Sequence, residues 1–152
     1  MKIISDKSLN KLYLSLVTKM KNRNLPVFIV GGHACIEYGL AEFTKDLDIV
    51  SPLNACGQVL EFLSECEIMG EKCRYRFGHG APLARPWLDG GWTSHFIFPV
   101  VDDYYEPCID IFGAPPRVVN KNYGHRIFAS MEVVAEMKKT KRPRDWAFVS
   151  SL

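Results

Sequence analysis

No apolar run in this 152-residue chain approaches the roughly 20 residues that a membrane-spanning helix needs, so no membrane partner is expected. The five cysteines, Cys35, Cys56, Cys66, Cys73 and Cys108, are odd in number and contain no C-x-x-C pair, which argues against a zinc ribbon or a disulfide framework. Buried reduced thiols are the expectation, and with them a cytoplasmic protein. A strong charge of either sign is also missing: a formal net charge of +2 does not by itself announce nucleic acid. Internal repeats and linkers are absent. The N-terminal stretch MKIISDKSLNKLYLSLVTKM carries polar residues throughout and no small-residue cleavage pattern, so it is not expected to be a secretory signal. What remains is globular. At 47% hydrophobic and 24% charged, the chain has the composition for one packed core, predicted as a single domain over 1–152.

The order of elements predicts an α+β class. Asp6 or Ser8 can cap a first helix with Leu9, Leu12, Leu16, Val17 and Met20 at helical spacing, ended by RNLP because Pro26 disfavours helix before it. VFIV (27–30) reads as a buried strand, Gly31-Gly32 opens a short helix HACIEY, and Gly39 stops it. LDIV (47–50) is a second strand, and Ser51-Pro52 starts a helix to about Glu65. KCRYRF (72–77), SHFIFPVV (94–101) and EPCIDIF (106–112) read as strands, with Asp102-Asp103 as the turn between the last two. The stretch 78–92, GHGAPLARPWLDGGW, reads as a loop or hairpin tip. A last strand at 125–130 and helices over 131–140 and 143–152 complete the expectation.

One stretch, VFIVGGHACIEYGLAEFTKDLDIV (27–50), carries chemistry. Glycines after a strand let backbone N–H groups approach a phosphate without a Cβ in the way, and the following helix adds N-terminal positive charge. Asp46 and Asp48 lie two apart at a strand start, so their side chains share a face. Two such carboxylates repel unless something positive sits between them, and hard divalent cations suit that role. Asp110, a charged residue in the apolar strand PCIDIFG, needs a partner and can join the same site if its strand lies beside 47–50. A phosphate cradle with three carboxylates is the apparatus of two-metal phosphoryl or nucleotidyl transfer. Gly31-Gly32 is neither G-x-G-x-x-G nor a P-loop, and His33, His79, His95 and His125 are scattered singletons with no readable triad.

With VFIVGG, a thirteen-residue spacer (33–45), DLDIV and then CIDIFG, the sequence resembles the DNA polymerase beta-like nucleotidyltransferase superfamily. The likeness is to its small bacterial members, including type IV toxin-like proteins paired with antitoxins. Ala34, Gly39, Thr44 and the ending EMKKTKRPRDW add to it. The resemblance implies a short mixed β-sheet with helices packed on one side. It also implies that Asp46 and Asp48 hold two Mg²⁺ or Mn²⁺ ions and, through them, a nucleoside triphosphate (NTP). Asp110 would hold the catalytic ion and help to deprotonate the acceptor, while Gly31 and Gly32 bring backbone donors to the phosphates. The implied reaction is transfer of a nucleoside monophosphate to a hydroxyl of RNA, a protein or a small molecule, with a small helical antitoxin-like protein as a possible partner. The alternative is a nucleotidyltransferase-fold protein that has lost its chemistry and acts as a nucleotide- or protein-binding partner. Three departures bear on the choice: Gly32 stands where many members have serine, Glu42 where many have arginine, and loop 78–92 has no match.

Several residues keep two readings. His33 is a phosphate contact or a surface histidine at a helix start, and Thr44 is a site hydrogen bonder or a turn former. Lys138, with Lys141, Arg142 and Arg144, holds triphosphate or RNA, or forms a solvated face. Trp87, Trp92 and Tyr104 stack on a base or, the safer reading, pack.

Overall fold

Helix α1, Asp6–Asn22, buries Leu9, Tyr13, Leu16, Val17 and Met20, a stripe at helical spacing. Tyr13 takes the buried place expected of Leu12, which is only half-buried. The helix ends before Pro26 acts on it. Asn24 adopts a left-handed φ of 60°, its N–H donates to Lys21 O (2.9 Å), and the Leu25 N–H donates to Met20 O (3.0 Å). This double closure is a Schellman cap, with Leu25 buried beneath it.

The computed structural model describes residues 6–39, 46–68, 71–75, 80–98, 108–113, 123–124 and 127–137. Strand β1 (Phe28–Val30) runs straight into α2 (Gly31–Glu37), which starts at the glycines themselves and is followed by Gly39 at φ +92°. Then come β2 (Leu47–Val50), a tight turn at Leu53–Ala55 and α3 (Cys56–Glu65). The segment predicted as one strand over 72–77 is divided. Strands β3 (Glu67–Ile68) and β4 (Glu71–Lys72) form a small antiparallel pair, and β5 (Arg74–Tyr75) joins the main sheet. Loop 78–92 holds a helix that was not expected, α4 (Arg85–Asp89). Pro86 fits its first turn, where no N–H is needed, and the fully buried Leu88 anchors it. Strands β6 (Thr93–Ile97) and β7 (Cys108–Phe112) and helix α5 (Met131–Met137) follow.

The main sheet has the order β1-β2-β7-β6-β5; β2 and β7 are parallel and the other neighbours antiparallel. It is the short mixed sheet with helices packed on one side that the sequence predicts. Of the strand expected at 125–130, the described residues 127–130 form a single bridge, Ile29 to Phe128. Ile29 N–H donates to Ile127 O and Ala129 N–H donates to Ile29 O, so only one residue of β1 is engaged. Tyr38 fastens the same segment by donating to Ala129 O at 2.6 Å. The predicted helix 143–152 lies outside the described residues, as do Glu42, Thr44, Tyr104 and Lys138.

Strand alternation divides the sheet. Ile29, Ile49, Ile111 and Ser94 are paired across four strands and are all buried. The next row is Val30, Asp48, Asp110 and His95, and its last three members are half-buried. Core and polar row thus come from the same strands through the period of two.

Candidate functional site

The centre of the polar row is the pair Asp48 and Asp110. They are register partners on adjacent parallel strands, a spacing of about 4.8 Å between backbones, with both side chains on one face. The expectation that 106–112 lies beside 47–50 therefore holds. Asp46 immediately precedes β2 and is half-buried.

Gly31 is fixed by this arrangement. Its φ of +65° lies in the left-handed region, and a Cβ there would overlap the Asp48 carboxylate at Oδ2 and stand 3.0 Å from Asp48 Cβ. The first glycine is therefore the floor on which the Asp48 carboxylate rests. Helix α2 is only seven residues long, so its end charge is small, and the backbone donors of its first turn, at the buried Gly31 and Gly32, are the relevant feature. No side chain caps that turn.

His33 is not a surface histidine. Its ring packs edge-on against Tyr13 at 5.3 Å between centroids, and Nε2 is buried with no hydrogen-bond partner. Burial lowers its pKa from the ordinary value, partly opposed by a hydrogen bond to the backbone of Asp46. The ring thus ties α2 to the residue that leads into β2.

The partner that a buried Asp110 requires is His95, which the sequence does not join to the site. His95 Nδ1 lies 2.5 Å from Asp110 Oδ1, and the Cys108 thiol donates to the same oxygen at 3.2 Å. Among the described residues, His95, Cys108 and Asp110 bring one nitrogen, one sulfur and one oxygen within 4.8 Å of one another. A signal for this was present. A turn centred on Asp102-Asp103, carried back symmetrically along both strands, places His95 opposite Asp110, which is the observed register.

Beside His95 opens a groove of about 350 Å³ lined by Gly80, Gly90, Gly91, Trp92 and Thr93. Trp92 is 55% exposed and Trp87 45%, touching edge to face at 5.8 Å, so neither is the packing residue that the sequence suggests. The cysteines are reduced and form no disulfide: Cys35, Cys56 and Cys108 are buried, and Cys66 and Cys73 half-buried. Burial pushes the Cys66 thiol up to about 11 and the Cys73 thiol up to about 12.

No family model matches the chain, and no curated protein matches it either. A solved structure does: the crystal structure of JHP933 from Helicobacter pylori, which covers 98% of this chain and 67% of its own length at a TM-score of 0.52. The likeness is one of fold. With 15% of residues identical, it supports the α+β arrangement and carries no residue roles. No helix among the described residues is long and apolar enough to cross a membrane.

Proposed function

We propose that this chain is a divalent-metal-dependent nucleotidyltransferase that moves a nucleoside monophosphate from a nucleoside triphosphate to a hydroxyl acceptor. The observation that carries the reading is the register pair Asp48–Asp110, with the Asp48 carboxylate resting on the glycine turn at Gly31. Carboxylates a strand apart repel unless a cation separates them. The oxygen donors of Asp46, Asp48 and Asp110 suit Mg²⁺ or Mn²⁺, which keep positions open for phosphate. Bound there, the ions would neutralise the triphosphate and make the acceptor hydroxyl more acidic.

The protein's own part is placement. Backbone N–H groups at Gly31 and Gly32 meet the phosphates, and Thr44 and Lys138 are candidate further contacts. His33 acts through the Asp46 backbone that it holds. Asp110 takes the acceptor proton. The acceptor oxygen attacks the α-phosphorus in line, forming one P–O bond as the bond to pyrophosphate breaks. The acceptor is a hydroxyl of RNA, a protein or a small molecule, and a small helical antitoxin-like protein is the candidate partner. The second reading, a nucleotidyltransferase-fold binding partner without chemistry, draws on one observation: Asp110 Oδ1 is already engaged by His95 and Cys108.

Thermal unfolding tests the first reading, with ATP, GTP, CTP or UTP, with and without Mg²⁺ or Mn²⁺, on the wild type and Asp48→Asn. A ligand at ~100 times its Kd stabilises by about 2.7 kcal/mol, several degrees for a domain this size. The expected result is a metal-dependent rise that Asp48→Asn removes. A folded protein that shows no rise with any nucleotide overturns it.

A further inference from the structure

The absence of any C-x-x-C pair leads the sequence away from a transition-metal site, yet β6 and β7 assemble a donor set that no local motif shows. His95 and Asp110 face each other in register, and Cys108 lies two residues before Asp110, on the same face of β7. Both hydrogen bonds within the cluster fall on Asp110 Oδ1, which leaves Oδ2 outside it. The His95 and Asp110 side chains are 26% and 17% exposed and Cys108 is buried, so the cluster is shielded but open at one side.

The imidazole is also held in place. Gly80, at φ +73°, packs its backbone so closely on the ring that a Cβ there would overlap His95 Cδ2. With Asp110 at Nδ1 and Gly80 against the carbon edge, the ring is fixed before any ligand arrives. A set of one imidazole nitrogen, one thiol sulfur and one carboxylate oxygen is poorly matched to Mg²⁺, which takes oxygen donors. It is well matched to Zn²⁺ and ions like it, which accept all three.

We propose that His95 Nδ1, the Cys108 sulfur and an Asp110 carboxylate oxygen form a binding site for Zn²⁺ or a similar borderline-soft divalent cation, with the fourth position open to water. Binding displaces the thiol proton of Cys108 to solvent, and the neutral imidazole carries its proton on Nε2 so that the Nδ1 lone pair faces the ion in place of its hydrogen bond to Asp110. The thiolate and carboxylate together balance the charge of the ion. Three protein ligands with one open position are the pattern of an exchangeable rather than a closed structural site. The site shares Asp110 with the nucleotide reading but does not rest on it, because His95 and Cys108 play no part in holding triphosphate.

The test is titration of metal-stripped, reduced protein with Co²⁺, followed by optical absorption and then displacement by Zn²⁺. The expected result is one Co²⁺ per chain, with a sulfur-to-cobalt charge-transfer band and the intense visible bands of a four-coordinate ion. Cys108→Ser should lose the charge-transfer band, and His95→Ala, with its fold checked by circular dichroism, should weaken binding at least ~10-fold. Cys66→Ser and Cys73→Ser should leave the spectrum unchanged. Absence of the band with excess Co²⁺, or its survival in both His95→Ala and Cys108→Ser, overturns the proposal. The titration contains no nucleotide, so it separates the two readings. Asp48→Asn should keep the cobalt spectrum while losing nucleotide stabilisation, and a nucleotide response without a cobalt spectrum overturns the metal site alone.

Discussion

Gly31 joins backbone conformation and site chemistry in one residue. Its left-handed φ costs an L-residue roughly 1–2 kcal/mol, and the Asp48 carboxylate fills the space that a Cβ would need. Gly31→Ala is therefore expected to destabilise the protein by about 2 kcal/mol or more, because the carboxylate must also move. The same variant should lose the metal-dependent nucleotide shift even at temperatures where it remains folded. Chemical denaturation checks the first outcome, and thermal unfolding with nucleotide the second. Gly32→Ala provides the contrast, since Gly32 lies within α2 without a positive φ and escapes the left-handed penalty. A variant pair with equal losses would show that Gly31 does not support Asp48.

At the scale of elements, the end of α1 is a local device with a measurable contribution. Asn24 closes the helix in the left-handed region, and the two hydrogen bonds beneath it fall on the Lys21 and Met20 carbonyls of the last turn. Asn24→Gly should be neutral or stabilising by less than about 1 kcal/mol, since glycine adopts this conformation without a steric penalty. Asn24→Val should cost about 1–2 kcal/mol, because a β-branched side chain is strained there. Urea unfolding of the pair reads the difference. A valine variant as stable as the glycine variant would mean that the cap is not maintained in solution. Helix α4 is a second local device. Pro86 begins it, Leu88 docks it, and Gly113 keeps the docking surface clear, since a Cβ at Gly113 would stand 2.5 Å from Leu88 Cβ and 2.8 Å from Leu53 Cδ2. The glycine-rich appearance of 78–92 conceals this helix because its single buried leucine sets no detectable period.

At the scale of the whole molecule, His33 reports on how α1, α2 and the start of β2 are packed together. Burial holds its pKa below the ordinary value of 6.5, so in the window below about 6.5 the unfolded chain binds a proton that the folded chain refuses. The associated stability is complete above that pH and declines as the pH falls towards the lowered value. Wild-type protein should thus lose stability as the pH falls below about 6.5, and His33→Gln should remove that part of the decline. Equilibrium unfolding at a series of pH values measures it. An identical pH profile in the variant would mean that His33 titrates as it does in the unfolded chain.

The sequence by itself determined most of the local elements and singled out the aspartates of the candidate site, though not α4, the division of 72–77, or His95 and Cys108. A β-branched run ending in Gly-Gly, an Asp-x-Asp pair entering a second strand, and an aspartate in an apolar strand were legible because backbone propensity and strand alternation are properties of neighbouring residues. The α+β class was legible through the order of those elements, and the mixed sheet only through the family resemblance. Tertiary structure decided which residues meet. Asp48 and Asp110 come together only because β2 and β7 pair in parallel at that register, and a slip of one residue would send Asp110 to the other face of the sheet. His95 looked like a singleton because its partner lies on another strand, although a turn expected at Asp102-Asp103, outside the described residues, implies the observed register. The segment 127–129 has strand-like residues but finds only one residue of β1 to bond, so propensity without a partner produced a bridge instead of a strand. Trp87 and Trp92 are apolar enough to be buried, yet the short α4 and the glycines around it leave both exposed, with Trp92 lining the groove. Local preference acts through adjacent residues, whereas register and burial depend on segments that chain closure brings together, and that is where sequence and structure part.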